Sequence, residues 1–315
     1  MTALARHVLA AGSRVIGLPL FPGSWERALR EWKWSGDARR ALAVPRRPRT
    51  FNEKVRFKMA SDRRPIIATL SDKVETRSYV ERLIGHDVLT EVYLVTDDPS
   101  ELRRERFPRE VAIKAAHGSG GCVLISDAAP PDAALPEPPV GWSRFLVRPE
   151  ATDWGRLRRL CAEWLSRRYA TWEWGYRDLI PRILAEELLH GEQGVPWDYK
   201  LFTFHGRVRL VEVDVDRYGE IRRTLYTPDW ELVPVRFKYP RGPEVERPER
   251  LDEMIEIAER LAGMLDFVRV DFFALGSRVV VGELTSYPGA GASLVDPPEF
   301  DAELGSWWSQ PRRYR

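Results

Sequence analysis

The chain has 315 residues of which 43% are hydrophobic, enough to bury a large core and long enough for two or three subdomains. Its 49 Lys and Arg against 47 Asp and Glu leave a formal net charge of +2, which excludes a strong field for nucleic acid or for an anionic membrane. The two cysteines, Cys122 and Cys161, stand at no metal-ligand spacing; they read as small buried apolar residues and fit a cytoplasmic location.

Residues 3–20 are fairly apolar, but Arg6, His7 and Arg14 interrupt them. No uncharged run reaches the roughly 18–20 residues that span a bilayer, and Arg14 falls where a signal peptide would be apolar. The segment reads as an N-terminal helix, with peripheral membrane contact left open. The spacing of Trp25, Leu29 and Trp32 predicts a helix over 24–34. A second helix is predicted over 72–84, then a strand at 92–95. Residues 111–126 (VAIKAAHGSGGCVLIS) are two strands flanking a glycine-rich loop. Five prolines between 128 and 140 make that stretch a loop. A helix at 156–168 carries Leu157, Leu160, Cys161, Trp164 and Leu165 on one face. A buried strand follows Pro181 within 179–189, and residues 199–213 form a hairpin about His205-Gly206. An amphipathic helix at 251–265 leads to a last hairpin at 267–285. This mixed order predicts an α+β fold rather than a doubly wound parallel sheet.

The last hairpin is the most informative segment. A three-residue loop at 276–278 would place Asp271 opposite Glu283 and Arg269 opposite Thr285, all on one face. Two carboxylates side by side repel unless a cation sits between them. Mg²⁺ commonly uses one or two carboxylates plus substrate phosphates, and Arg269 is placed to steady the charge of a reacting phosphate. An ordinary face of paired surface charges explains the hairpin alone about as well. Glu283 weighs against that, because it follows the apolar run 279–282, where an unpaired carboxylate is costly.

Lys114 precedes the glycine-rich HGSGG at 117–121. Glycines let backbone N–H groups approach phosphate closely. Neither GxxxxGK[ST] nor a GxGxxG opening a helix is present. What remains is a loop able to fold over a triphosphate, with Lys114 as a cation beside it; a plain hairpin turn accounts for the glycines too. Glu186 and Glu187 end an apolar strand, and Asp198 and Lys200 share a face. Each of these also reads as a solvated charge.

In order, FNEK (51–54), SDK…R (71–77), IKAAHGSGG (113–121), ILAEELL (183–189), DYKLFTFHGRV (198–208), RVDFF (269–273) and GELTSYPGAG (282–291) resemble the ATP-grasp superfamily, most closely its TupA-like amidoligase branch, named after teichuronopeptide biosynthesis. The resemblance implies two α+β subdomains gripping ATP between them, one with the glycine-rich lid (109–190) and one with the Mg²⁺-binding hairpin (191–315), preceded by an N-terminal helical extension (1–50) and an N-terminal or linker subdomain (51–108). It implies an ATP- and Mg²⁺-dependent carboxylate–amine ligase working through an acyl-phosphate on small-molecule, peptide or glycan substrates, with cell-surface polymer synthesis as its setting. A kinase of a hydroxyl group and a non-catalytic nucleotide-binding scaffold are the alternatives.

By the same resemblance, Arg77 would meet an ATP phosphate and Lys114 would bridge phosphate and adenine pocket. Gly118, Ser119, Gly120 and Gly121 would form the lid. Glu186, Glu187 and Leu189 would hold the adenine, and Asp198 the ribose. Lys200 would lie near the γ-phosphate, Asp271 and Glu283 would bind Mg²⁺, and Arg217 would meet the carboxylate or acyl-phosphate. Many members carry Asn where Thr285 stands, which puts a second metal position in doubt.

Overall fold

The computed structural model describes residues 44–169, 173–191, 196–215, 220–276 and 278–314. The helix expected at 24–34, and the extension as far as residue 43, lie outside this range. The described part begins with three short helices whose ends are written in the sequence. Helix α1 (Phe51–Ser61) opens on a capping box between Thr50 and Glu53. Helix α2 (Pro65–Ser71) has Pro at its first position, where no N–H is needed. Asp72 ends α2 and starts α3 (Lys73–Leu83), its carboxylate accepting from the N–H groups of Val74 and Glu75.

Five strands follow: β1 (Val92–Thr96), β2 (Val111–Ala115), β3 (Cys122–Ile125), β4 (Arg144–Val147) and β5 (Ile183–Glu186). They form one sheet in the order β1-β5-β2-β3-β4. All pairs are antiparallel except β3 with β4. Strand β4 went unpredicted; its four residues follow directly on the proline-rich loop. Helix α4 (Trp154–Leu165) starts two residues earlier than the apolar spacing predicted, because Asp153 caps it. Leu157, Leu160, Cys161 and Trp164 bury its inner face against Ile113, Val123 and Ile183 of the sheet.

The chain then builds β6 (Asp198–Phe204), β7 (Arg207–Val215), β8 (Arg222–Tyr226), β9 (Leu232–Val233), β10 (Arg236–Phe237), helix α5 (Leu251–Ala262), β11 (Phe267–Leu275), β12 (Arg278–Thr285), β13 (Val295–Asp296) and helix α6 (Glu299–Ser306). Six of these strands form a second sheet in the order β12-β11-β6-β7-β8-β9, while β10 pairs with β13. On one face, Leu201, Val211, Val268 and Val270 pack against Leu251, Met254, Ala258 and Leu261 of α5. On the other, Phe202, Phe204 and Phe267 join Phe51 of α1 and Trp308 in an aromatic core. That second face changes character along each strand: in β11 Phe267 is followed, at every other position, by Arg269, Asp271 and Phe273.

The expected three-residue loop of the last hairpin is not what the chain forms. Leu275 pairs with Arg278, which leaves two residues between the strands. Such a loop alone would set Asp271 against Gly282. A bulge between Asp271 and Phe272 shifts the register by one, so Asp271 faces Glu283 and Arg269 faces Thr285 after all. Gly282 permits this: a Cβ there would lie 2.8 Å from the Phe273 ring. The hairpin of β6 and β7 uses the same device. Phe204 faces Arg207 across His205 and Gly206, both with positive φ, and a shift between Phe202 and Thr203 then brings Lys200 opposite Glu212.

Candidate active site

A cleft lies between the two sheets, with α3 closing one end. Ala112, Leu124 and Leu188 form an apolar bed on the first sheet, and Phe273, Val280 and Val281 face the cleft from the second. At the edge of the bed sits Glu186, buried at the end of β5. Its carboxylate accepts from Lys114 (2.5 Å), Thr90 (2.5 Å) and Arg77 (3.1 Å). Burial pushes this carboxyl up, but Lys114, Thr90 and Arg77 outweigh it and hold it below its ordinary value. Glu187 turns outward to Arg278 at 2.9 Å.

The glycine-rich loop between β2 and β3 is held from two sides. Lys73 donates its backbone N–H to Ala116 O at 3.1 Å and its ammonium to Gly118 O. Burial lowers the pKa of that ammonium, with the charge of Glu283 opposing the shift. From the other side Trp142 packs so closely that a Cβ on Gly118 would meet its ring at 2.8 Å. Gly120 has φ +109°, and a Cβ there would lie 2.8 Å from the Trp142 carbonyl oxygen. The glycines are thus demanded by Trp142 as well as by any ligand above them.

The second wall is a field of charge. Glu283, Asp271, Lys200 and Glu212 stand side by side across β12, β11, β6 and β7. Arg269 forks onto both oxygens of Asp271 at 2.6 Å and donates to Thr285 Oγ1 at 3.1 Å. The Lys200 ammonium lies 2.9 Å from Asp198 and 3.2 Å from Asp214, at ion-pair distance but outside hydrogen-bond geometry. Arg223 forks onto Asp214 at 2.6 and 2.8 Å and lies 2.7 Å from Glu212. Burial pushes Asp271 up against the pull of Arg269 and Lys200, and the charge of Glu283 adds to the rise. Burial likewise pushes Glu212 up to about 7 despite Arg223. Asp214, buried but less completely, is held well below the carboxylate range by Arg223 and Lys200.

The acids at the cleft suit a hard divalent ion. Asp271 and Glu283 present oxygens from directly opposed positions, and a cation between them would offset both the burial that pushes Asp271 up and the smaller repulsion from Glu283. Among the described residues no group of three or more His, Cys, Asp or Glu gathers as a metal cage. A pair of carboxylates that leaves the rest of the shell to water and phosphate is the Mg²⁺ pattern.

A family comparison decides what this arrangement belongs to: residues 53–308 match the TupA-like ATPgrasp family. The chain belongs to that family. ATP and Mg²⁺ are the cofactors typical of such ATP-grasp proteins. Among solved structures, the D-alanine–D-alanine ligase of Bacillus anthracis complexed with ATP aligns at 13% identity and TM-score 0.43, over 76% of this chain and 65% of that one. The ADP complex of PurK, an N5-carboxyaminoimidazole ribonucleotide synthetase, aligns at 13% and 0.42 over 71% and 46%. The ATP-grasp ligase PsnB with minimal precursor, Mg and ADP aligns at 14% and 0.40 over 77% and 59%. The TupA-like chain therefore spans only about half to two thirds of those structures. Curated proteins give no match. Among the described residues no helix is long and apolar enough to cross a membrane.

Of the residues singled out in the sequence of this TupA-like protein, Arg77, Lys114, Ser119, Gly120, Gly121, Glu186, Glu187, Leu189, Asp198, Asp271 and Glu283 all line the one cleft. Gly118, Lys200, Arg269 and Thr285 are not part of that lining; Lys200 is paired beside Asp271 in the sheet, and Arg269 faces Thr285 two residues along from it. Arg217 lies outside the described residues. Arg77 is engaged by Glu186 and Thr90, beside the apolar bed. Sequence reasoning passed over Lys73, Arg144, Glu212, Asp214 and Arg223. Asp214 and Glu212 needed the β6–β7 register, which the bulge conceals. Lys73 stands in the SDK…R motif, and the resemblance assigned it no role.

Proposed function

We propose that this TupA-like protein is an ATP-dependent carboxylate–amine ligase that releases ADP and phosphate, acting in the cytoplasm on precursors of a cell-surface polymer or peptide. The observation that carries the reading is the direct opposition of Asp271 and Glu283 on a cleft whose other wall offers Lys114, Glu186 and a glycine-rich loop. The adenine lies on the bed of Ala112, Leu124 and Leu188, with backbone groups at Glu187 and Leu189 along its edge. Asp198 takes the ribose, and Lys114 with residues 118–121 covers the phosphates.

Mg²⁺ held by Asp271 and Glu283 would neutralise charge on the phosphates. The substrate carboxylate attacks the γ-phosphorus; the bond to the β-phosphate oxygen breaks and ADP leaves. The amine then attacks the acyl carbon of the acyl-phosphate, phosphate departs with the bonding pair, and the amine loses a proton to solvent. The chain itself supplies position and fixed charge. Lys200, anchored by Asp198 and Asp214, and Arg269, anchored by Asp271, act as cations that need not reorganise as charge moves. Arg217 is assigned to the substrate carboxylate.

The test is ADP release measured over pairs of carboxylates and amines. Amide and ADP should appear one for one, and Asp271→Asn or Glu283→Gln should reduce turnover at least about a hundredfold at saturating Mg²⁺. Near-normal activity in either variant would sink the metal assignment. A stable phosphorylated product without amide would make the protein a kinase instead.

A further inference from the structure

Among the described residues four cations line the cleft: Lys73, Arg77, Lys114 and Arg144. The first three are engaged, Lys73 by Gly118 O, Arg77 by Glu186 and Thr90, and Lys114 by Glu186. The guanidinium of Arg144 is different. It is exposed to the cleft and meets no carboxylate and no hydrogen-bond acceptor among the described residues.

Its place in the sheet is fixed by register. Leu184 faces Lys114, Lys114 faces Cys122, and Cys122 faces Arg144. Residues directly opposed across strands share a face, so Arg144 is on the same face as Lys114, two strand spacings or about 10 Å away. It also flanks the glycine-rich loop. Ser143 O accepts from Cys122 N at 3.1 Å, and Trp142 packs on Gly118, Gly120 and Gly121. The loop and Arg144 are thus parts of one rim.

We propose that Arg144 is a substrate-binding residue for the triphosphate, its guanidinium taking phosphate oxygens at the glycine-loop side of the cleft. This rests on the reading of the cleft as a nucleotide site. MgATP carries net negative charge, and the planar guanidinium fork matches a pair of phosphate oxygens. Lys73, Arg77 and Lys114 are each already held by a protein acceptor, so Arg144 adds from β4 a guanidinium whose donors face the cleft uncommitted.

The test is calorimetric titration of the full chain with MgATP and, separately, with adenosine, comparing wild type with Arg144→Ala and Arg144→Lys. The side chain anchors nothing else, so both variants should fold as the wild type does. Arg144→Ala should weaken MgATP about tenfold, the loss expected for one charge-assisted contact, with Arg144→Lys recovering part of it. Adenosine affinity should not change. Unchanged MgATP affinity overturns the assignment to Arg144 alone and leaves the nucleotide reading standing. An equal loss for adenosine also overturns it, because the guanidinium would then be stacking on the base. Wild type that binds no MgATP takes down the nucleotide reading and this inference together.

Discussion

The wall of the cleft supplied by the five-stranded sheet has one buried carboxylate, Glu186, gripped by three donors beside an apolar bed; the wall supplied by the six-stranded sheet has Glu283, Asp271, Lys200 and Glu212 in one row, with Asp198, Asp214, Arg223 and Arg269 around them. An apolar bed with a few directed polar groups selects a ligand by shape and hydrogen bonding. A packed field of fixed charges does something else. It holds cations and acids in place against their own desolvation, ready for charge that develops during a reaction. Such a field is expensive in stability, because each ion is short of water and depends on its partners. The two walls should therefore fail differently when a single group is removed.

The largest effect on stability is expected at Arg223. It is the shared partner of Asp214 and Glu212, both buried. Arg223→Met should cost roughly 3–5 kcal/mol in urea unfolding, the range for breaking a buried pair from one side. A loss below about 1 kcal/mol, the value of an exposed pair, would mean that this wall is wet. On the other wall, Glu186→Gln keeps the shape but weakens the hold on Lys114 and Arg77. MgATP affinity should fall about tenfold, while kcat at saturating nucleotide stays within a few fold. A kcat collapse with unchanged affinity would erase the division between the walls. Smaller again is Gly120→Ala. Its positive φ and the Trp142 carbonyl 2.8 Å away should lower stability by about 1–2 kcal/mol and loosen the loop. Thermal melts and the KM for ATP would report both.

The first wall was largely legible in the sequence, because its groups lie on continuous motifs: Lys114 with the glycines after it, and Glu186 to Leu189 at a strand end. The second was legible only in part. Asp271 and Glu283 were paired correctly for an incomplete reason, since a two-residue turn and a bulge at Gly282 together restore the register that a three-residue loop would have given. In the β6–β7 hairpin, counting back from His205-Gly206 would have set Lys200 against Val211. The shift beyond Thr203 sets it against Glu212 instead, so the acid that faces Lys200 could not be found by counting. Strand β4, and with it Arg144, was hidden because four residues after a proline-rich loop carry too little periodicity to announce a strand.

The finest test of the contrast is the sign of a pH dependence. Glu212 is pushed by burial up to about 7 from an ordinary 4.5. Between those values the folded chain keeps a proton that the unfolded chain has released, so its contribution to stability is present below about pH 4.5 and is lost as pH rises to 7. Glu186 is held below the same ordinary 4.5, so its contribution is present above that value and is lost as pH falls through the depressed pKa. Two buried glutamates on facing walls should thus respond in opposite directions. Melting curves of wild type against Glu212→Gln should diverge as pH rises from 4.5 to 7, with the variant gaining on the wild type. Curves of wild type against Glu186→Gln should converge as pH falls below 4.5. Arg223 offsets part of the first shift, which makes this a smaller change than deleting Arg223 itself. Parallel curves for Glu212→Gln would mean that water reaches the charged row, and the second wall would then be no drier than the first.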